Sequence, residues 1–136
     1  MHKPVCLVTG VGPEGGTGAE IAKRFSQEGY QVAMLARNAG NLSALAAKYE
    51  NTRAYPCDVA DLDALTATIA RVKKEMGAPR IVVHNALRST RGSILEMDPE
   101  TARIHLNSLA AIGLLLRGSV HAGWRLSTLG GGLLNG

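Results

Sequence analysis

The chain has 136 residues, 46% of them apolar and 19% charged, which is enough to bury a core and too apolar for disorder. The net charge of +4 is spread along the sequence with almost no aromatic interleaving, so nucleic acid is a poor partner and a small anionic ligand a better one. The longest apolar stretch, Leu109–Leu116, stops at Arg117, far short of a membrane span, and Val5–Val8 is too short for an export signal.

Val5–Val8 predicts a buried strand. Five of the ten residues from Thr9 to Gly18 are glycine, and a helix follows over Thr17–Glu28 with Ile21, Ala22 and Phe25 on one face and Gly29 at its end. Strand, glycine turn and helix in that order suit a nucleotide pyrophosphate. Glycines let backbone N–H groups approach the anion, and the helix offers its positive N-terminal end. Gly10-x-Gly12-x-x-Gly15 reads as the dinucleotide fingerprint, and Gly16-Thr17-Gly18 supplies a second register. A merely flexible glycine-rich loop is the bland alternative.

Further along, Gln31–Ala36 predicts a second strand and Asn41–Lys48 a helix with Leu42, Leu45 and Ala46 inward. Thr52–Cys57 predicts a third strand, with Pro56 near its end. Asp61–Met76 carries Leu62, Leu65, Ile69, Val72 and Met76 at helical spacing, and Gly77-Ala78-Pro79 breaks it. Arg80–His84 predicts a fourth strand, and Asp98-Pro99 opens the next helix as N-cap and first turn. Nearly continuous apolar strands separated by helices predict an α/β fold: a Rossmann-like, doubly wound parallel sheet of order 3-2-1-4 in one domain over 1–136. A fifth strand is expected near Leu133-Leu134, after which the sheet is truncated. In that order the strand beginning at Gln31 separates Cys6 from Cys57. Neighbouring strands lie about 4.8 Å apart, so the two thiols are too distant to bridge. Buried structural thiols fit a reducing, cytoplasmic compartment, and neither cysteine has a metal partner at ligand spacing.

Ligands of such a sheet gather at the carboxyl ends of its strands. The second strand ends Leu35-Ala36-Arg37, with no acid to accept from a ribose hydroxyl and one guanidinium to meet a 2′-phosphate. That favours NADP over NAD, an ordinary surface arginine being the other reading. After the third strand, Asp58 is placed to accept from the amine of adenine while the Val59 N–H meets a ring nitrogen; alternatively Asp58 caps the next helix, for which Asp61 is better placed. After the fourth, Asn85 and Ala86 put an amide and a small residue beside the cofactor, and His84 is given no role in chemistry.

From Val5 to about Leu116 the sequence resembles the short-chain dehydrogenase/reductase family. Thr9-Gly10 with Gly16-Thr17-Gly18 resembles that family's TGxxxGxG turn, Asp58-Val59 its adenine-binding pair, and His84-Asn85-Ala86-Leu87 its NNAG segment. Leu95–Glu100 and Asn107 resemble the entry and the active-site asparagine of its fourth helix. The resemblance implies an oxidoreductase that moves hydride between NADP(H) and a carbonyl or alcohol. Thr9, Gly10, Gly12, Gly16, Thr17, Gly18, Arg37, Asp58, Val59, Asn85 and Ala86 would hold the cofactor, and Asn107 would serve the catalytic proton relay.

Three departures stand out. The glycine turn is two residues long in excess, with Glu14-Gly15 inserted after Pro13, and an acid beside a pyrophosphate costs affinity unless it faces solvent. Leu87 replaces the family's glycine. The serine, tyrosine and lysine of the family's chemistry have no position here, and no Tyr-x-x-x-Lys occurs. Residues 117–136 continue the preceding helix poorly, and a gene product truncated or out of frame near its end and a divergent terminus both remain open. The expected function is therefore the cofactor-binding half of an NADP-dependent reductase, with a non-catalytic nucleotide-binding module or inactive fragment as the alternative. Arg88 and Arg91 would face an acidic substrate or simply solvent. The Leu109–Leu116 helix is the expected surface for self-association.

Overall fold

Strand and helix alternate in the computed structural model as the apolar pattern predicts. The structure describes residues 3–86 and 98–116, together with two short strands at Arg125–Ser127 and Leu133–Asn135. The elements are β1 (Val5–Thr9), α1 (Thr17–Gln27), β2 (Gln31–Ala36), α2 (Ala39–Lys48), β3 (Thr52–Pro56), α3 (Leu62–Glu75), β4 (Pro79–His84), α4 (Pro99–Leu115), β5 (Arg125–Ser127) and β6 (Leu133–Asn135). The first four strands form one sheet in the order β3-β2-β1-β4, and every pairing in it is parallel.

Side chains alternate across each strand and so supply two cores. Val5 and Leu7 of β1, with Ala33 and Leu35 of β2, face Leu65, Ile69 and Val72 of α3, Ile112 of α4 and Leu116 at its C-cap. Cys6 and Val8, with Val32 and Met34, face Ala19 and Ala22 of α1 and Leu42 and Leu45 of α2. Helices therefore cover both faces, which is the doubly wound arrangement. Cys57 joins the first core and Cys6 the second, so the two free thiols lie on opposite sides of the sheet.

Helix ends follow local chemistry. Asp61 Oδ1 accepts from the Ala64 N–H and caps α3, and Asp98 caps α4 ahead of Pro99. Helix α2 starts earlier than its apolar stripe suggests because Asn38 Oδ1 accepts from the Asn41 N–H at 2.9 Å. Strand β4 begins at Pro79, one residue before the expected start.

The expected fifth strand forms at Leu133–Asn135, but it does not extend the parallel sheet. It pairs antiparallel with Arg125–Ser127 in a separate two-stranded sheet. Pairing two runs close in sequence closes a short loop, at lower entropic cost than a crossover to a parallel neighbour. The expectations for Leu87, Arg88, Arg91 and residues 95–97 fall outside the described residues. Among the described residues no helix is long and apolar enough to cross a membrane. On α4, Leu106 and Leu114 stand 65% and 67% exposed.

The outer strand β3 is clasped to the end of α3 through Glu75. Tyr55 Oη donates to Glu75 Oε2 at 2.7 Å, Arg53 and Arg71 reach the same carboxylate at 3.5 and 3.4 Å, and the Arg71 guanidinium lies 5.4 Å from the centre of the Tyr55 ring. The tyrosine hydrogen bond, followed by the arginine charges, holds the Glu75 carboxyl below the usual carboxylate range. A carboxyl depressed by folding stabilises the fold above its unfolded pKa, and that contribution is lost as pH falls through the folded value. Glu75→Gln should therefore lower Tm near neutrality and flatten the Tm-against-pH curve on its acid side, measured by circular dichroism. Parallel curves for the two proteins would show that the clasp contributes nothing.

Candidate functional site

The carboxyl ends of β1, β2 and β3, the residues following β4 and one face of α4 enclose a cavity of about 530 Å3. Its wall after β1 is Gly10–Gly12, after β2 Leu35–Asn38, after β3 Cys57–Ala60 and after β4 Ala86, with Ile104 and Ser108 closing it from α4. Of the residues expected to hold a cofactor, Gly10, Gly12, Arg37, Asp58, Val59 and Ala86 line this cavity, while Thr9, Gly16, Thr17, Gly18 and Asn85 do not.

Those five mostly build the wall from behind. Thr9 Oγ1 accepts from the N–H groups of Asn85 and Ala86 at 3.1 and 3.2 Å. With both lone pairs used, its own hydrogen goes to His84 Nδ1 at 2.8 Å. Asn85 Nδ2 donates to the Gly10 carbonyl at 3.1 Å, and Asn85 Oδ1 is a buried acceptor with no partner among the described residues. Gly10 has φ +70°, and a Cβ there would fall 2.5 Å from the Asn85-Ala86 peptide. A Cβ at Gly18 would fall 2.5 Å from the Gly10 carbonyl oxygen. Gly10 and Gly18 are thus required by close backbone packing, whereas a Cβ at Gly12 would meet nothing within 4 Å. Helix α1 starts after Gly16 with no side-chain cap, and Thr17 is exposed at its first position. Its leading N–H groups are left for a ligand or water.

The inserted Glu14-Gly15 forms the middle of a turn closed by the Gly16 N–H donating to the Pro13 carbonyl at 2.9 Å, and Gly15 supplies the positive φ of +85°. The turn carries Glu14 outward, where it hydrogen-bonds and ion-pairs with Lys48 at the end of α2. That lysine holds the Glu14 carboxyl below its usual range. Glu14 is thus an exposed, paired acid, the placement under which an acid in this turn is not expected to cost anion affinity. Behind the turn, Asn41 Nδ2 donates to the Gly12 carbonyl at 2.6 Å and ties the glycine segment to α2.

Arg37 is exposed at the end of β2, and among the described residues no carboxylate pairs with it. Asp58 does not cap α3, since Asp61 does; Asp58 Oδ1 instead accepts from the Ala60 N–H at 3.0 Å. The Asp61 N–H donates to the Asp58 carbonyl at 3.0 Å, and the intervening Val59 N–H has no partner among the described residues. Asn107 is exposed on α4 and does not line the cavity; its neighbour Ser108 does. Ser108 and Asn41 were not expected from the sequence. The only signals were a serine four residues after Ile104 and an asparagine at an expected helix start.

Burial pushes the Cys6 thiol up to about 12 and also raises that of Cys57, which borders the cavity, so neither is a ready nucleophile. Among the described residues no cluster of three metal-ligating side chains occurs.

A family model described as enoyl-(acyl carrier protein) reductase matches residues 10–117. An uncharacterized oxidoreductase of Mycobacterium tuberculosis is 35% identical over 127 residues, covering 83% of this chain and 36% of that protein. An acetoacetyl-CoA reductase of Paracoccus denitrificans is 39% identical over 98 residues, covering 71% of this chain and 39% of the enzyme. Among solved structures, a short-chain dehydrogenase of Streptomyces avermitilis is 28% identical with a TM-score of 0.75, covering 86% of this chain and 44% of the other. A variant short-chain dehydrogenase/reductase of Serratia marcescens, at 24% identity, shares the fold with a TM-score of 0.77, covering 93% of this chain and 55% of its own. The chain thus spans about 36–39% of these curated relatives and about half of the solved chains.

Proposed function

The chain belongs to the short-chain dehydrogenase/reductase family, and from that premise we propose that it holds NADP(H) in the cavity at the strand ends, as the cofactor-binding part of a carbonyl or alcohol oxidoreductase. The observation that carries this reading is Arg37: its guanidinium follows β2 at the cavity, no carboxylate pairs with it among the described residues, and β2 ends in Leu35-Ala36 without the acidic residue that would repel a 2′-phosphate.

The residues present suit such a cofactor. Gly12 leaves open space beside uncapped helix N–H groups for the pyrophosphate. Asp58 offers a carboxylate and Val59 an N–H to an adenine edge, and among the described residues neither that N–H nor Asn85 Oδ1 has a partner. When bound, the nicotinamide supplies or takes the hydride. This chain's part is to bind and orient the dinucleotide along the strand ends. The acetoacetyl-CoA reductase among its relatives supports an acyl-chain carbonyl as the substrate class. The cytoplasm suits its two buried free thiols.

NADPH titration followed by nucleotide fluorescence tests the reading. Saturable binding displaced more readily by NADP+ than by NAD+ is expected, and no binding would refute it. Asp58→Ala should weaken NADPH and NADH alike, by about tenfold for a lost charge-assisted hydrogen bond. A fall in stability with unchanged affinity would assign Asp58 to its local turn.

A second reading is a nucleotide-binding unit whose proton-transfer groups do not lie within these 136 residues, none of which form Tyr-x-x-x-Lys. General acid/base assistance typically contributes about 10²–10⁴-fold. NADPH oxidation by this polypeptide across a carbonyl panel is expected to stay at background, and turnover abolished by Asn107→Ala would overturn that.

A further inference from the structure

Helix α4 reaches the cavity with Ile104 and, one turn on, Ser108. Ser108 is a polar side chain at 1% exposure. Its Oγ lies 2.6 Å from the Val59 carbonyl oxygen and 3.0 Å from that of Ile104. A hydroxyl has one hydrogen to give. The shorter contact crosses from α4 to the loop between β3 and α3, whereas the longer is the routine bond of a helical serine to the preceding turn.

The Val59 carbonyl and the Ala60 N–H are the two ends of one planar peptide unit. Ser108 grips the carbonyl end, and Asp58 Oδ1 grips the N–H end. The plane is therefore fixed from both sides, and its N–H in turn orients the Asp58 carboxylate. The preceding peptide is held separately by the Asp61 N–H on the Asp58 carbonyl. Removing the Ser108 hydroxyl frees the Val59-Ala60 peptide to rotate, and the Asp58 carboxylate loses the direction of this one of its contacts.

We propose that Ser108 is a positioning residue for adenine recognition, acting through the Val59-Ala60 peptide to aim Asp58 at the exocyclic amine. This rests on the nucleotide reading above, and it assigns to α4 a part in base discrimination that is independent of any proton relay.

The test compares NADPH with its hypoxanthine counterpart, which carries a carbonyl oxygen where adenine has the amine. The unsubstituted chain should bind the adenine form about tenfold more tightly, the size of one lost hydrogen bond to a charged group. Ser108→Ala should bring that ratio close to one, Ser108→Thr should preserve it, and Ser108→Ala should change little in an Asp58→Ala background. Should Ser108→Ala fail to fold, Ser108→Cys, with its weak donor, gives the same comparison. A ratio unchanged in Ser108→Ala, or equal losses for both nucleotides, overturns the proposal while leaving nucleotide binding intact. A ratio of one in the unsubstituted chain refutes the role of Asp58 and Ser108 together, and absence of binding refutes the nucleotide reading itself.

Discussion

Arg37→Ala is expected to lower NADPH affinity by about tenfold to a hundredfold and to leave NADH affinity nearly unchanged, the range implied by losing one charge-assisted contact. The direction follows from placement. Arg37 borders the cavity at the end of β2 with no carboxylate partner among the described residues, so its charge is not already neutralised. A guanidinium meets a phosphate through two parallel N–H donors, which an ammonium cannot reproduce, so Arg37→Lys should restore only part of the loss. Because the group is exposed, discrimination should also shrink as salt rises. Equilibrium titration with both nucleotides at two salt concentrations checks this. Equal losses for NADPH and NADH would make Arg37 a structural residue.

The second large effect separates three glycines that read alike in the sequence. Gly10→Ala forces a side chain into a positive-φ backbone and sets its Cβ 2.5 Å from the Asn85-Ala86 peptide. Left-handed strain of about 1–2 kcal/mol and overpacking of about 1–3 kcal/mol together remove a large share of a domain's stability. Gly18→Ala incurs the overpacking against the Gly10 carbonyl and should cost about 1–3 kcal/mol. Gly12→Ala has open space around it and should leave stability within about 0.5 kcal/mol, yet weaken NADPH because the methyl enters the cavity. Urea unfolding and NADPH titration on the same preparations separate the two outcomes. A destabilised Gly12→Ala protein, or one that binds normally, would remove Gly12 from the pyrophosphate site.

The inner strands were legible because β1 and β2 are apolar runs whose successive side chains feed the two cores in turn, whereas the edge strand β3, Thr52–Pro56, is only partly apolar. Val5 and Leu7 against Cys6 and Val8 is an alternation that only a strand covered on both faces sustains. The early start of α2 was hidden because its first residues, Ala39-Gly40, carry no apolar stripe, and only the Asn38 cap marks it. On α4 the ambiguity is one of phase. The helix is apolar on most sides, and a shift of one residue turns a side chain by about 100°, so periodicity could not tell Asn107 from Ser108 at the cavity. The links of Asn41 to Gly12 and of Lys48 to Glu14 join residues far apart in sequence, and neither leaves a local pattern. The strand at Leu133–Asn135 was visible as an apolar pair, but its partner was not, because a three-residue run such as Arg125–Ser127 has too few side chains to show a period.

The turn from Pro13 to Gly16 shows how a loop at this position can carry additional length. Glu14 and Gly15 stand at the middle of a turn closed by one backbone hydrogen bond, so the chain enters and leaves it at neighbouring points. Such a segment is a modular graft: its ends are neighbours, and lengthening a loop modestly costs only a fraction of a kcal/mol, about 0.6 for each doubling. The outward carboxylate docked on Lys48 makes the turn a tether between the glycine segment and α2, a helix that otherwise reaches the segment through Asn41. Loop length at this position is therefore a variable that changes how firmly the rim of the cavity is held while leaving the residues that line it in place.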